Sequence, residues 1–191
     1  EKNDLSKNRP VLVTGASGGV GSFSVSLLAT AGYEVIAVSS KEDKKEYLKA
    51  LGASKVCSFY DLEIAEKYSP LGKALYSGAV DNLGGEYLTK LLSHIDLFGS
   101  VASVGLASQA FFNSSVMPHI LRGVNLLGIS SANSPMDLRR KLWKSMFEDQ
   151  NFMNSLNKVQ RNLIGLDELP AICQNILDGK HTGRSVLKLA D

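Results

Sequence analysis

Several features that mark specialised classes of protein are scarce in this sequence. Only two of its 191 residues are cysteines, Cys57 and Cys173, and their separation fits neither a metal site nor a disulfide framework. We therefore expect a reduced, cytoplasmic environment and no bound metal. No run of about 18 apolar residues is present, and the net charge of +2 indicates no nucleic-acid or membrane partner. Residues 1–4 have no signal-peptide character, and we expect the chain to be part of a longer one.

A glycine-rich segment near the start organises the chain. The apolar run at 11–13 predicts a buried strand, and apolar residues spaced three or four apart after the glycines predict a helix. Strand, glycine turn and helix form a dinucleotide-binding turn, in which the backbone approaches a pyrophosphate and helix N–H groups face it. The register is Ala16-x-Gly18-x-x-Gly21, with alanine in the first glycine position. The alternative is a loop that only turns the chain. The residues predicted to bind the phosphates are Ser17, Gly18, Gly19, Val20 and Gly21.

Strands and helices alternate beyond this segment. This order predicts an α/β fold, a Rossmann-like doubly wound parallel sheet of about six strands with helices on both faces. The last of these strands, 126–129, is predicted to form the sheet edge, and edges of this kind often pair across a two-fold axis, so we expect a homodimer. The strands after the first are predicted at 34–39, 55–59, 79–81, 100–104 and 126–129.

The pattern changes after the sixth strand. A helix is predicted to about Glu148, and residues 149–162 are polar and poorly periodic. A helix with one apolar face follows and ends at Gly179, and a final strand is predicted at 185–189. Neither has a partner in a sheet that is already complete, so their apolar surface is expected to contact another domain. We divide the chain into a dinucleotide-binding domain, 1–149, and a C-terminal tail, 150–191, that joins a catalytic domain.

The residues after the second strand indicate which cofactor binds. An NAD site usually has Asp or Glu there, whereas this chain has Ser39 or Ser40. The helix predicted over 41–51 then carries three lysines in its first turn, namely Lys41, Lys44 and Lys45. A helix dipole disfavours cations in its first turn, and a bound 2′-phosphate would remove that conflict. We therefore predict NADPH rather than NADH. The alternative is that the lysines are solvated and that Glu42 or Asp43 holds a ribose hydroxyl.

Two other loops follow strands of the predicted sheet. Ligands of doubly wound folds bind at the carboxyl ends of the strands. Asn82, Gly105 and Leu106 are therefore candidates for binding the ribose and nicotinamide. Asp81 is as well suited to cap the next helix and is left out of the site.

The segment 14–21 also fits the short-chain dehydrogenase pattern T-G-x-x-x-G-x-G. That family needs a tyrosine with a lysine four residues later, because the lysine lowers the pKa of the tyrosine on the same helix face. None of the six tyrosines is followed by such a lysine, which excludes this family.

Longer motifs indicate a different family. From Val11 to its end, the sequence resembles the cofactor-binding half of a zinc-free medium-chain reductase of the quinone-oxidoreductase-like branch. It is most similar to the NADPH-dependent acryloyl-CoA reductases. The most specific motif is Met-Pro-x-Ile-Leu-Arg-Gly at 117–123. The matching segments are 13–21, 47–53, 78–85, 116–123, 126–129, 134–136 and 183–184.

This resemblance implies roles for particular residues. Ser39 and Lys41 would hold the 2′-phosphate, and Arg184 would lie near the cofactor phosphates or the nicotinamide, although its chemistry equally suits a surface arginine. The family's N-terminal catalytic domain is absent from the sequence. Catalytic residues are therefore not assigned, and His94, His119 and His181 are expected to be ordinary surface or core residues.

The resemblance also implies an activity for the intact enzyme. A hydride would pass from NADPH to the β-carbon of a small-molecule substrate, an α,β-unsaturated acyl-CoA such as acryloyl-CoA. A quinone or another enone is the alternative substrate. A non-catalytic NADPH-binding module or redox sensor is the alternative function, and the chain without its catalytic domain is expected to be inactive.

Overall fold

A computed structural model describes residues 5–189 of the chain, so the expectation for residues 1–4 lies outside the described range. Six strands form one parallel sheet with the order β3-β2-β1-β4-β5-β6, which confirms the Rossmann-like α/β fold and the edge position of the sixth strand. The order reverses between β1 and β4, and such a reversal creates a crevice at the carboxyl ends of the strands. The strands of this sheet are β1 Val11–Val13, β2 Val35–Val38, β3 Lys55–Cys57, β4 Tyr76–Asp81, β5 Ile95–Ser103 and β6 Asn125–Gly128.

Helices cover both faces of this sheet. Neighbouring side chains of a strand point to opposite faces, and in β1 Leu12 packs into one buried cluster while Val13 packs into another. The cluster around Val13 contains the first two helices, whereas the cluster around Leu12 contains the third. No helix within residues 5–189 is long and apolar enough to cross a membrane. The helices are α1 Gly19–Thr30, α2 Lys45–Ala50, α3 Gly85–Ser93, α4 Met117–Arg122, α5 Met136–Glu148, α6 Gln150–Leu156 and α7 Leu169–Leu177.

The segment after β2 differs from the single helix predicted over 41–51. A short 3-10 turn, Glu42–Lys44, precedes α2. The Lys44 ammonium contacts the Asp43 carboxylate at 2.8 Å, so this lysine already has a local anionic partner. Because α2 begins only at Lys45, the helix-dipole argument for a 2′-phosphate holds for neither Lys41 nor Lys44, and Lys41 is instead distinguished by lining the cleft at the carboxyl ends of the strands.

The final strand, β8 Arg184–Leu187, has a partner that the sequence did not indicate. It pairs in parallel with β7 Arg161–Ile164, and the two strands form a separate two-stranded sheet. The final strand therefore has no partner in the six-stranded sheet, as expected, but it pairs with a strand that the sequence analysis did not predict. β7 is only four residues long and follows a polar segment, so its period-2 pattern is too short to recognise.

Residues 150–160 pack against α1 and α2 of the dinucleotide-binding domain. Phe152 and Val159 are buried, and the Ser155 hydroxyl lies 2.6 Å from the hydroxyl of Ser26 on α1. The Tyr47 hydroxyl of α2 accepts a hydrogen bond from the backbone N–H of Gln160 at 3.1 Å. These contacts fix the start of the two-stranded sheet beside α1 and α2.

Candidate cofactor-binding site

Two glycines shape the turn after β1, one within the turn and one in the helix that packs against it. Gly15 has φ +57°, a conformation that glycine adopts without a steric penalty, and its carbonyl accepts a hydrogen bond from the Gly18 N–H at 3.0 Å. The sharp turn thus lies at Gly15, one residue before the alanine that occupies the first position of the motif. A Cβ on Gly21 would lie 2.3 Å from the Gly15 oxygen, so α1 approaches the turn as closely as only glycine allows.

The N-terminus of α1 opens onto this turn. Its N-cap is Gly18, which has no side chain to accept a hydrogen bond from the first helical N–H groups. These groups have no acceptor within the helix, and the helix dipole adds partial positive charge. The arrangement favours an anion above residues 18–21.

A buried network holds the next loop against the turn. The Thr14 hydroxyl donates to the Asp81 carboxylate at 2.7 Å, and the same carboxylate accepts from the N–H of Gly84, the N-cap residue of α3, at 2.8 Å. The side-chain amide of Asn82 donates to the Thr14 carbonyl at 2.7 Å. Asp81 is fully buried. Its contacts agree with the structural role expected from the sequence, and Asn82 is fixed at the edge of the crevice.

A cleft of about 560 Å³ lies at the carboxyl ends of β1, β2, β4 and β5. Of the residues predicted to bind the cofactor, all except Arg184 line it. No Asp or Glu side chain within residues 5–189 lines this cleft. Glu42 and Asp43, the alternative ligands of a ribose hydroxyl, are therefore not brought into it.

One corner of the cleft carries hydroxyl groups and an ammonium group. The hydroxyls of Ser17 and Ser39 lie 3.0 Å apart, and the Ser39 hydroxyl accepts a hydrogen bond from the backbone N–H of Lys41 at 3.2 Å. The Lys41 ammonium donates to the backbone carbonyl of His181 and to the Thr182 hydroxyl. Burial lowers the pKa of Lys41, and the nearby Asp43 carboxylate partly opposes this shift.

Arg184 lies beside the cleft, against the glycine turn. A Cβ on Gly19 would lie 2.6 Å from its Nε atom, so the guanidinium covers the start of α1. The Cζ atom also lies 5.9 Å from the centre of the Phe23 ring. The backbone N–H of the preceding Gly183 donates to the Ser17 carbonyl at 2.9 Å. The first residues of β8 are thereby held directly over the turn that the phosphate-binding motif predicts.

The structure adds lining residues that sequence reasoning missed. Phe59, Tyr60 and Tyr87 line the cleft. The rings of Phe59 and Tyr87 pack edge to face, with their centres 4.6 Å apart. These aromatics come from loops and helices whose convergence no local pattern predicts. His181 also lines the cleft.

The other two histidines have partners outside the cleft. A ring nitrogen of His94 lies 2.9 Å from the Lys90 carbonyl, and one of His119 lies 2.7 Å from the Val124 carbonyl. Both rings therefore have local structural contacts, whereas His181 is the histidine that the fold brings to the cleft.

The sequence matches a known family and named relatives. Residues 19–148 match the family described as zinc-binding dehydrogenase. The chain is 43% identical to YhfP of Bacillus subtilis, named provisionally as a quinone oxidoreductase, over 99% of this chain and 57% of that protein. It is 40% identical to the acrylyl-CoA reductase AcuI of Ruegeria pomeroyi, over 93% of this chain and 53% of that protein.

Solved structures agree with these matches. The yhdH oxidoreductase from Salmonella enterica in complex with NADP has a TM-score of 0.86 at 35% identity, covering 96% of this chain and 55% of that one. Bacillus subtilis yhfP with NAD bound has a TM-score of 0.89 at 41% identity, covering 98% and 56%. The chain spans about half the length of the relatives that it matches. These findings confirm the resemblance inferred from the sequence motifs.

The name of this family refers to zinc, so the question arises whether side chains of this chain could bind that metal. Structural and catalytic zinc sites use three or four Cys, His, Asp or Glu ligands. Within the described part of the chain, no group of three or more such side chains is placed to hold a metal ion. The side chains of residues 5–189 therefore do not fit a zinc ion.

Proposed function

Because this chain belongs to the zinc-binding dehydrogenase family, we propose that it is the NADPH-binding part of an oxidoreductase. The observation that carries this proposal is the corner formed by Ser39 and Lys41 in a cleft that no carboxylate of residues 5–189 lines. A ribose 2′-hydroxyl is usually held by a carboxylate, whereas a 2′-phosphate needs cations and hydroxyl donors.

In this proposal, different groups of predicted residues bind different parts of the cofactor. The pyrophosphate binds over the N-terminus of α1, where Ser17, Gly18, Gly19, Val20 and Gly21 line the cleft and Arg184 adds a positive charge. The nicotinamide and its ribose bind near three residues at the ends of β4 and β5, namely Asn82, Gly105 and Leu106. Positioning the reactive ring against the substrate is the contribution of these residues to catalysis.

The bound cofactor would supply a hydride to the β-carbon of an α,β-unsaturated acyl-CoA such as acryloyl-CoA. The relative named as an acrylyl-CoA reductase supports this substrate class. A quinone or another enone is the second candidate, since another relative is named as a quinone oxidoreductase. We infer that the C-terminal tail, 150–191, joins the catalytic domain, and the exposure of Leu163 and Leu177 supports this inference.

An activity assay tests the proposed reaction. We expect the intact protein to consume NADPH in the presence of acryloyl-CoA, seen as a loss of absorbance of the reduced nicotinamide. The chain of residues 1–191 by itself is the matched control and is expected to bind NADPH without turnover. If the intact protein binds NADPH but oxidises none with acryloyl-CoA, several enones and several quinones, it is a binding module or sensor and the proposed reaction is wrong.

We also propose that the protein is a homodimer joined along β6. This strand pairs with β5 on one side and lies at the edge of the sheet, where its outer backbone groups can pair with a second copy. Light scattering of the intact protein is expected to give twice the mass of one chain. A monomer mass at micromolar concentration would exclude the dimer.

A further inference from the structure

His181 lies where the C-terminal tail meets the predicted 2′-phosphate corner. It lines the cofactor cleft together with Ser39 and Lys41, and it also lines an adjoining pocket of about 430 Å³. Its backbone carbonyl accepts a hydrogen bond from the Lys41 ammonium. Its ring Nε2 lies 2.8 Å from the hydroxyl of Ser185 on β8. The histidine is therefore held from two sides, by its backbone and by its ring.

The charged groups around His181 come from three segments. The segment after β2 contributes Lys41 and the ion pair of Asp43 with Lys44. The loop after α7 contributes Lys180, which pairs with Asp178 at 2.9 Å, and α7 itself contributes the neutral Asn175. β8 contributes Arg184. Within residues 5–189, Lys41 and Arg184 form no ion pair of their own, so two cations that act on His181 lack a paired anion.

This surplus of positive charge acts on the histidine. Burial lowers the pKa of His181, and the neighbouring Lys41 and Arg184 lower it further. These effects favour the uncharged ring while the corner holds no anion. A phosphate dianion bound among these groups would reverse the balance, because an adjacent anion favours the imidazolium.

We propose that His181 is a further ligand of the 2′-phosphate, and that it takes up one proton from solvent when NADPH binds. This inference rests on the proposed NADPH-binding function. It makes NADPH affinity dependent on pH in a way that NADH affinity is not, since NADH lacks the phosphate. As pH falls from about 8 to about 6.5, the affinity for NADPH should rise, by at most about tenfold per pH unit for one proton.

Calorimetric titration of the intact protein tests this proposal. Cofactor binding is measured near pH 7 in two buffers that differ in ionisation enthalpy, which gives the number of protons exchanged. We expect uptake with NADPH and none with NADH. The direction of proton exchange distinguishes the histidine from the phosphate itself. A free 2′-phosphate has a second pKa of about 6, so it would release protons when it binds to cations and would not take them up.

Two variants identify the residue responsible. His181→Gln should abolish the proton uptake and weaken NADPH binding at pH 6.5 by about three- to tenfold, with NADH affinity unchanged. His119→Gln removes a histidine that does not line the cleft and should keep the uptake of the natural protein. The unchanged NADH affinity also reports that His181→Gln is folded.

Each outcome decides a different question. If NADPH binds without proton uptake, or if His181→Gln retains the uptake, the inference is wrong while the NADPH proposal stands. If His181→Gln fails to fold, the natural protein decides, since equal proton exchange with NADPH and NADH contradicts a role for the phosphate. If neither cofactor binds, the proposed function itself fails.

Discussion

Gly21→Ala is expected to abolish NADPH binding and to lower the free energy of unfolding by about 3 kcal/mol. The added Cβ would lie 2.3 Å from the Gly15 carbonyl oxygen and 2.6 Å from the Ala16 Cα atom. Both are backbone atoms of the turn, so relief requires α1 to move away from β1. That movement would displace the N–H groups that face the phosphates. Urea unfolding measures the stability change, and titration followed by NADPH fluorescence measures the loss of binding.

Gly165→Ala is the matched control for this substitution. Gly165 has an extended φ of −80°, and a Cβ there would approach only the Glu168 carboxylate, at 3.7 Å. We expect its unfolding free energy to stay within about 0.5 kcal/mol of the natural protein and its NADPH affinity to be unchanged. A Gly21→Ala protein that binds NADPH with normal affinity would contradict the role assigned to the close approach of α1.

Lys41→Gln is expected to weaken NADPH binding by about 10- to 100-fold, the range of one or two charge-assisted hydrogen bonds. NADH affinity should change little, because Lys41 lies at the corner assigned to the 2′-phosphate. Titrations with the two cofactors under identical salt conditions measure the ratio directly. The loss should diminish at high ionic strength, since the contact is electrostatic.

Lys45→Gln removes the same charge four residues away. Lys45 is exposed at the start of α2 and does not line the cleft, so both affinities should remain those of the natural protein. An equal loss of NADPH and NADH binding in Lys41→Gln would mean that the lysine acts only by holding the tail at His181 and Thr182. That result would remove the basis for assigning NADPH as the preferred cofactor.

Local chemistry explains why so much of the site could be predicted. Phosphate binding at residues 17–21 depends on consecutive residues without side chains followed by a helix, and both features are visible in a short stretch of sequence. Ser39, Asn82 and Gly105 follow strands of a parallel sheet, and in that architecture the carboxyl ends of the strands meet at one edge. For these residues, the fold class alone determined that they would line one cleft.

Contacts between distant segments could not be predicted from the sequence and are known only from the tertiary structure. Whether Asp43 enters the site or pairs with Lys44 depends on a turn of three residues, below the length at which periodicity is informative. The space beside Gly15 is also limited by a distant loop, because the Asn82 Cβ lies 3.3 Å from the position that a Cβ on Gly15 would take.

The C-terminal tail shows most clearly which features the sequence determines and which the tertiary structure decides. Its sequence determined an apolar helix ending at Gly179 and a strand after it, because capping and periodicity are local properties. Only the tertiary structure decided that this strand pairs with β7, that its first residue, Arg184, covers the start of α1, and that His181 before it lines the cleft. These residues lie more than a hundred positions from the turn in the sequence. Their approach depends on packing and strand pairing between remote segments, which no local pattern encodes.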